Sequence, residues 1–295
     1  MNDESFVTDI LIMARREPDN FNQSNPRQAS TRRFRGERAA KNPLDPAIKI
    51  CCLGYFCIRR ADNAPIVIGP TTRPGALLQL LIVAGPKGID KRRAESTLWA
   101  EAQGSRTQSL LDSTIYRLRK LLESESACQR ESGIIMLNSA QVSIDAWLFD
   151  SEADGLLSRL RCRSADQDAG EIAVRCERLL ELYRGHFFAL ETSIPWVAKT
   201  RDRLQAKLMT AIQEAGNFWQ MTARWDRAAL LYQQLLERDN LAEEFHRELI
   251  RCHLARREYA EAINAFNRCR DILTSVLGVA PSEETTALYD RALCA

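Results

Sequence analysis

Residues 107–123 decide the fold of the first half of the chain, and they read TQSLLDSTIYRLRKLLE. Four of their large apolar side chains follow the spacing i, i+4, i+7 and i+11, which places them on one face of an α-helix. These side chains are Leu111, Ile115, Leu118 and Leu122. The pattern predicts a helix over 107–123 whose apolar face packs against a core.

The opposite face of this helix carries hydroxyl and basic side chains. At about 100° per residue the face comprises Ser109, Ser113, Tyr116, Arg117 and Lys120, with Arg106 just before it and Arg119 on its flank. Basic head groups can fix phosphates or guanine edges, and small hydroxyl groups allow close approach to a groove. The pattern favours a DNA-binding face, and the alternative is an ordinary solvated helix face.

The flanking sequence predicts a small sheet, two shorter helices and a closing hairpin. Strand-forming residues fill 48–58 and 66–68, and helical spacing at 76–81 ends at Gly85-Pro86. Asp90 is a good N-cap for a second helix that ends near Trp99. Residues 134–137 and 141–144 flank Asn138-Ser139-Ala140 and predict a β-hairpin. Sheet, three helices and hairpin in this order are typical of a winged helix-turn-helix.

This region resembles the OmpR-type DNA-binding domain of SARP-type (antibiotic-pathway-type) transcriptional activators. The resemblance rests on LGYF at 53–56, RPGALL at 73–78, LW at 98–99, TIYRLRKLL at 114–122 and ID at 144–145 with Phe149. It implies that the helix at 107–123 reads the major groove. The predicted hairpin departs from the family, because no Lys or Arg lies between Gly133 and Asp145. It is therefore not expected to place a basic side chain in the minor groove.

The second half of the chain contains an internal repeat. WDRAALLY at 225–232 recurs as YAEAINAF at 259–266, an offset of 34 residues, which is the period of tetratricopeptide repeats. Ala228 and Ala262 are small enough for close helix–helix contact, and Tyr232 fills the gap between neighbouring helices. Each unit is a helix pair that must stack on its neighbours to bury its apolar face.

The segments around the repeat resemble the bacterial transcriptional activator domain. The match covers about 146–292 and rests on LYRGHFF at 182–188, PW at 195–196 and LGVAPSEET at 277–285. In SARP-type regulators this helical domain follows the winged helix. The fold class expected from both resemblances is mainly α with a small β component, and the expected domains are 1–46, 47–146 and 147–295.

Composition excludes several classes of protein. The 295 residues carry a net charge of only +2, and no run approaches the roughly 18 apolar residues of a membrane span. The first residues lack a secretory signal, so a cytoplasmic, nucleoid-associated protein is expected. Residues 1–46 predict a disordered basic arm, which is either a solvated linker or a source of phosphate contacts.

No catalytic or metal-binding pattern is present in the sequence. The nine cysteines form no C-x-x-C pair, so we expect reduced and mostly buried thiols. His246 and His253 lie near Cys252 and Cys269, and repeat packing explains them better than a metal site. Without a phosphate-binding loop or a catalytic triad, the sequence predicts neither an enzyme nor a cofactor.

The sequence therefore predicts a sequence-specific DNA-binding transcriptional regulator of the activator type. Its partners would be double-stranded DNA and, through the helical repeats, a second copy or transcription machinery such as RNA polymerase. One alternative is a protein–protein adaptor with a degenerate winged helix, and another is a catalytic or ligand-sensing module of unrecognised type.

Overall fold

The computed structural model describes residues 46–100, 105–162, 169–190 and 194–294. All but the last residue of the predicted basic arm lie outside these ranges. The described residues belong to one compact unit. Within the described ranges, no helix is long and apolar enough to cross a membrane.

The described residues form seven short strands and ten α-helices. The strands are β1 (Ile48–Cys51), β2 (Cys57–Arg60), β3 (Pro65–Ile66), β4 (Ile89–Asp90), β5 (Cys128–Glu131), β6 (Ile134–Leu137) and β7 (Val142–Ile144). The first helices are α1 (Arg73–Ala84), α2 (Lys91–Leu98), α3 (Ser105–Leu121), α4 (Asp145–Arg161) and α5 (Ala169–Leu182). The others are α6 (Pro195–Met221), α7 (Trp225–Leu236), α8 (Glu243–Ala255), α9 (Tyr259–Ile272) and α10 (Glu283–Leu293), with a π-helical turn at Leu273–Leu277. The predicted fold class, mainly α with a small β component, is confirmed.

Two small sheets frame the first three helices. One has the strand order β3-β2-β1-β7, and the other has the order β4-β6-β5. β1 and β2 are antiparallel, with Ile50 opposite Ile58. Both isoleucines are buried, whereas Lys49 and its partner Arg59 are exposed. This alternation fixes which face of the sheet covers the core.

The apolar face of α3 packs as the sequence predicts. Leu111 and Leu118 are fully buried, as are Leu77 and Leu81 on α1 and Ile135 on β6. α1 packs against α3 and β6, and β5 packs against α3. A helix clamped between a second helix and a hairpin is held in one orientation.

The helix boundaries follow the sequence signals. The Oδ1 atom of Asp90 accepts the N–H groups of Arg92 at 2.9 Å and of Arg93 at 3.2 Å, so the predicted N-cap of α2 is confirmed. α1 ends at Gly85, whose φ of 80° lies in the left-handed region that favours glycine.

The predicted closing hairpin is wrong by one strand. β6 pairs with the preceding strand β5, through a two-residue turn at Ser132-Gly133. Both turn residues have positive φ, 50° and 82°, as the favoured two-residue hairpin turns require. Residues 142–144 instead form β7, which pairs in parallel with β1 in the other sheet.

The second half is a stack of antiparallel helix pairs, as the repeat predicts. α7 packs between α6 and α8, and α9 packs against α8 and α10. Ala228, Ala262 and Tyr232 are fully buried. Tyr232 lies directly against Gly216 of α6, so a residue without a side chain gives the aromatic ring its place.

The closing LGVAPSEET motif attaches the last helix to the stack. Gly278 ends the π-helical turn with a φ of 69°, and Ser282 is the N-cap of α10. Glu243, at the start of α8, accepts the Ser282 N–H at 2.8 Å and the hydroxyl groups of Ser282 and Thr285 at 2.6 Å each. The hydroxyl-bearing residues of the motif therefore join α10 to α8.

The winged helix and the helical repeats share a continuous joint. Asp145 is the first residue of α4 and is 6% exposed. The backbone N–H groups of Cys52 and Leu53 donate to its carboxylate, with N–O distances of 2.8 and 3.2 Å. From the repeat side, the N–H of Phe188 donates to the Cys52 carbonyl at 2.8 Å. Burial raises the pKa of Asp145, and its hydrogen-bond donors act in the opposite direction.

Candidate DNA interface

The outward face of α3 is the strongest candidate for a functional site. We use this name for Ser109, Ser113, Tyr116, Arg117 and Lys120, all of which are exposed. Tyr116 is the most prominent apolar group of the face, at 59% exposure. The Ser113 hydroxyl donates to the Leu110 carbonyl at 3.1 Å. This hydrogen bond holds the hydroxyl against the helix backbone, so the side chain does not protrude from the face. The structure thus brings five of the seven predicted site residues onto one accessible surface.

The cations of the outward face are not engaged elsewhere in the described part of the chain. Arg117 and Lys120 have no side-chain hydrogen bond or ion pair there. They lie about one helical turn apart, on the side of α3 that faces away from the fully buried Leu118. A cation without an internal partner can meet a phosphate or a base edge without breaking a protein contact first.

Arg119 has a structural task that the helical wheel does not reveal. The side chain is half-buried, and its Nε donates to the Cys128 carbonyl of β5 at 2.8 Å. This hydrogen bond fastens the hairpin to the C-terminal end of α3. Arg119 therefore positions the hairpin, and part of its guanidinium group is committed to the protein.

Arg130 is a basic residue at this surface that the sequence prediction missed. It lies on β5, and its Nη1 is 2.9 Å from Oδ1 of Asp112 on α3. The prediction began the hairpin one strand too late and so found no basic residue in it. The Ser132-Gly133 dipeptide was the available signal, because such pairs mark two-residue turns.

The last predicted site residue, Arg106, is the second residue of α3. Its side chain lies outside the described residues.

The β5–β6 hairpin is also joined to α2, because the N–H of Lys91 donates to the Gly133 carbonyl at 2.8 Å. The ends of α2, α3 and the β5–β6 hairpin are thus tied together.

Both histidines of the repeat helices contact groups within the repeats. His246 is buried, with its Nε2 at 2.9 Å from the Asn240 carbonyl, and burial lowers its pKa. The Nδ1 of His253 is 2.9 Å from a carboxylate oxygen of Glu258. Among the residues that the structure describes, no three His, Cys, Asp or Glu side chains gather as ligands for a metal ion.

Comparison with known proteins identifies the family. Residues 144–293, about half of the chain, match the family described as "Bacterial transcriptional activator domain". The chain belongs to this family. The match covers α4 to α10 and begins beside Asp145, at the joint with the winged helix. The bacterial transcriptional activator domain is a component of transcriptional regulators rather than a class of enzyme, and the resemblance to SARP-type regulators is confirmed.

One solved structure has a similar fold over more of the chain than this domain. The chain is similar to EmbR of Mycobacterium tuberculosis, solved in complex with a low-affinity phosphopeptide, with a TM-score of 0.56 and 18% sequence identity. The similarity covers 85% of this chain and 66% of the EmbR chain, so this chain spans just under two thirds of its length. At this identity the likeness concerns the fold alone. No curated protein matches the sequence.

Proposed function

We propose that the chain is a sequence-specific DNA-binding regulator that activates transcription, with α3 lying in the major groove. The observation that carries this proposal is the outward face of α3. It combines two small hydroxyl residues with two cations that have no partner in the described part of the chain, on a helix whose other side is buried. Membership in the bacterial transcriptional activator domain family supports the same reading.

The contacts around α3 hold the helix firmly, as a DNA recognition helix requires. α1 and β5 pack against it, and Arg119 fastens the hairpin to its C-terminal end. Residues that must meet base edges are best placed on an element that does not move relative to its support. Lys120 and Arg117 then contact phosphates or base edges, while Ser109 and Ser113 permit close approach.

The hairpin adds a second basic element to the proposed interface. Arg130 is exposed beside Asp112, and the pair is about half accessible to solvent. An exposed ion pair contributes little stability, about 0–1 kcal/mol, so a DNA phosphate can replace Asp112 at small cost. In this proposal the β5–β6 hairpin is the wing, and Arg130 is its basic side chain, which the sequence analysis did not find.

We also propose a role for each of the three segments of the chain. Residues 47–146 would bind DNA, the basic arm at 1–46 would add phosphate contacts, and residues 147–295 would hold a second copy or RNA polymerase. Helical repeats offer extended surfaces for such protein contacts. Winged helices that bind paired half-sites gain affinity from self-association.

Replacing Arg117 by alanine is expected to weaken binding to the preferred DNA site by about 1–3 kcal/mol, or roughly 5- to 150-fold. The loss follows from removing a guanidinium group that reads a base edge or neutralises a phosphate. The site is first selected from genomic fragments with the full-length protein, and affinities are then measured by fluorescence anisotropy at several salt concentrations. Loss of a phosphate contact also lowers the salt slope by about one unit.

Arg227→Ala is the matched control, because it removes the same charge from an exposed position on α7. The affinity of this variant for DNA should stay within about twofold of wild type. A charge on α7 that lies far from the DNA is largely screened by salt, so its removal changes binding little. An Arg117→Ala protein with a native circular-dichroism spectrum and wild-type affinity would refute the assignment of Arg117.

The activating role has its own test. Transcription in vitro from a promoter that carries the selected site should increase when the protein is added with RNA polymerase. A decrease would make the protein a repressor. If no DNA fragment is selected at physiological salt, the adaptor with a degenerate winged helix becomes the better reading.

A further inference from the structure

Two half-buried cysteines face each other at the loop end of the first hairpin. Cys51 ends β1, Cys57 begins β2, and the two are direct partners across the antiparallel ladder. They lie on the same face of the sheet as the exposed pair Lys49 and Arg59, opposite the buried Ile50. Both thiols are free and partly accessible to solvent.

The position of this pair suits a disulfide bond. Directly opposed residues in an antiparallel pair have Cα atoms about 4.5–5.5 Å apart, and disulfide bonds span about 4.4–6.8 Å between Cα atoms. Their side chains project from the same side of the sheet. Closing the bond therefore requires a side-chain rotation and little backbone movement.

A cation from the repeat side faces Cys51. The Nη1 of Arg184, in the segment between α5 and α6, is 3.7 Å from the Cys51 sulfur. The same nitrogen donates to the Tyr55 hydroxyl at 2.8 Å, and the guanidinium group lies over the Tyr55 ring. A fixed positive charge beside a sulfur stabilises the thiolate, which is the reactive form of cysteine.

The two sulfurs are electrostatically unequal. A hydrogen bond from Cys57, followed by the nearby Arg184, lowers the pKa of Cys51 to about 6, against burial and the negative Asp145. The same hydrogen bond and burial raise the pKa of Cys57, although Arg59 acts against this. The surroundings of the pair therefore favour the thiolate at Cys51 and the neutral thiol at Cys57.

The buried cysteines have the opposite chemistry. Burial raises the pKa of Cys128 to about 11 and those of Cys176, Cys252 and Cys269 to about 12. Cys52, next to Cys51 in sequence, is fully buried and its pKa is also raised by burial. These thiols fill the core, whereas Cys51 is placed to react.

We propose that Cys51 and Cys57 form a reversible intramolecular disulfide bond when hydrogen peroxide oxidises Cys51. The Cys51 sulfur attacks one peroxide oxygen, so an S–O bond forms, the O–O bond breaks, and the departing hydroxide takes a proton to become water. Cys57 then loses its proton and attacks the sulfenic sulfur of Cys51, which releases a second water. Two thiols and one peroxide give one disulfide and two waters.

The disulfide also changes the joint described above. Oxidation removes the negative charge opposite Arg184, which then retains Tyr55 as its partner. Arg184 lies in the same segment as His186 and Phe188, whose backbone groups hydrogen-bond to Gly54 and Cys52. The modification site therefore lies directly at the contact between the first sheet and the repeats.

The test is a differential alkylation of the full-length reduced protein after treatment with one equivalent of hydrogen peroxide. Trypsin releases residues 50–59, which contain Cys51, Cys52 and Cys57, and chymotrypsin divides this peptide after Tyr55 or Phe56. We expect the tryptic peptide to lose two hydrogens, to leave one alkylated cysteine, and to recover fully with dithiothreitol. Chymotrypsin should yield two fragments joined through sulfur.

Three variants assign the bond. Cys52→Ser, which keeps a donor for Asp145, should still form the disulfide, whereas Cys51→Ser should not. Cys57→Ser should leave a sulfenic acid at Cys51 that dimedone traps. The proposal is overturned if Cys51 and Cys57 both remain alkylatable when the exposed Cys162 has been oxidised, or if the bond links Cys52 or two chains.

The pH profile of alkylation separates a tuned thiol from a merely accessible one. The rate at Cys51 should reach half its maximum near pH 6, and Arg184→Gln should move this midpoint upward. Cys162 in the same digest is the internal control. A Cys51 midpoint that coincides with that of Cys162 and does not respond to Arg184→Gln would overturn the role of Arg184. None of these measurements depends on DNA binding.

Discussion

Replacing Asp145 by alanine is expected to lower the free energy of unfolding by about 3–5 kcal/mol. The carboxylate accepts the backbone N–H groups of Cys52, Leu53 and Ala146 and the thiol of Cys52. Cys52 and Leu53 are fully buried, so water cannot replace the lost acceptor. Each buried donor left without a partner costs about 1–3 kcal/mol. Urea denaturation followed by circular dichroism measures the loss.

Asp90→Ala is the matched control for this prediction. Asp90 also accepts two backbone N–H groups at the start of a helix, but it is exposed, and its loss should cost only about 1 kcal/mol. Asp145→Asn should recover part of the loss, because the amide keeps one acceptor oxygen. Equal destabilisation by Asp145→Ala and Asp90→Ala would show that burial does not amplify the effect.

Replacing Gly216 by alanine is expected to destabilise the helical repeats by about 2 kcal/mol or more. An added Cβ would lie 2.7 Å from Cε1 of Tyr232 and closer still to its Cζ and hydroxyl oxygen. Tyr232 is fully buried, and its hydroxyl accepts a hydrogen bond from Gln220 at 3.1 Å, so the ring cannot move aside freely. Thermal unfolding of the full chain measures the effect.

Gly155→Ala provides the control for helix propensity. Gly155 lies within α4, and an added Cβ would meet only the guanidinium tip of Arg175, 2.9 Å away, on a flexible side chain. This variant should be neutral or gain about 0.5–1 kcal/mol. Gly216→Ala should also cost less in a Tyr232→Leu background, because the overlapping ring is then absent. Equal costs in both backgrounds would contradict the overlap.

The helices and the repeat could be predicted from sequence because their signals are local. The spacing of Leu111, Ile115 and Leu118 identifies the buried face of α3 without knowledge of its partner. Asp90 caps the helix that follows it within three residues. The 34-residue offset between Trp225 and Tyr259 reports a stack of similar units, because each unit repeats the same contacts.

The closing hairpin could not be predicted because strand pairing is not local. Residues 142–144 alternate correctly for a strand, but alternation does not say which strand is the neighbour. β7 pairs with β1, at the other end of the winged helix. The same error concealed Arg130, whose place near α3 depends on the β5–β6 register. The structural role of Arg119 could not be predicted for the same reason, since its hydrogen-bond acceptor is a carbonyl group of β5.

The sequence alone determined the mainly helical fold class, the outward face of α3 and the resemblance to transcriptional activators. These follow from periodicity and short motifs, in which interacting residues lie within a few turns of one another. Only the tertiary structure showed Asp145 beneath Cys52 and Leu53, and Cys51 opposite both Cys57 and Arg184. A carboxylate or a thiol acquires its energetics from burial and from charges brought near by distant segments, and no local pattern encodes either.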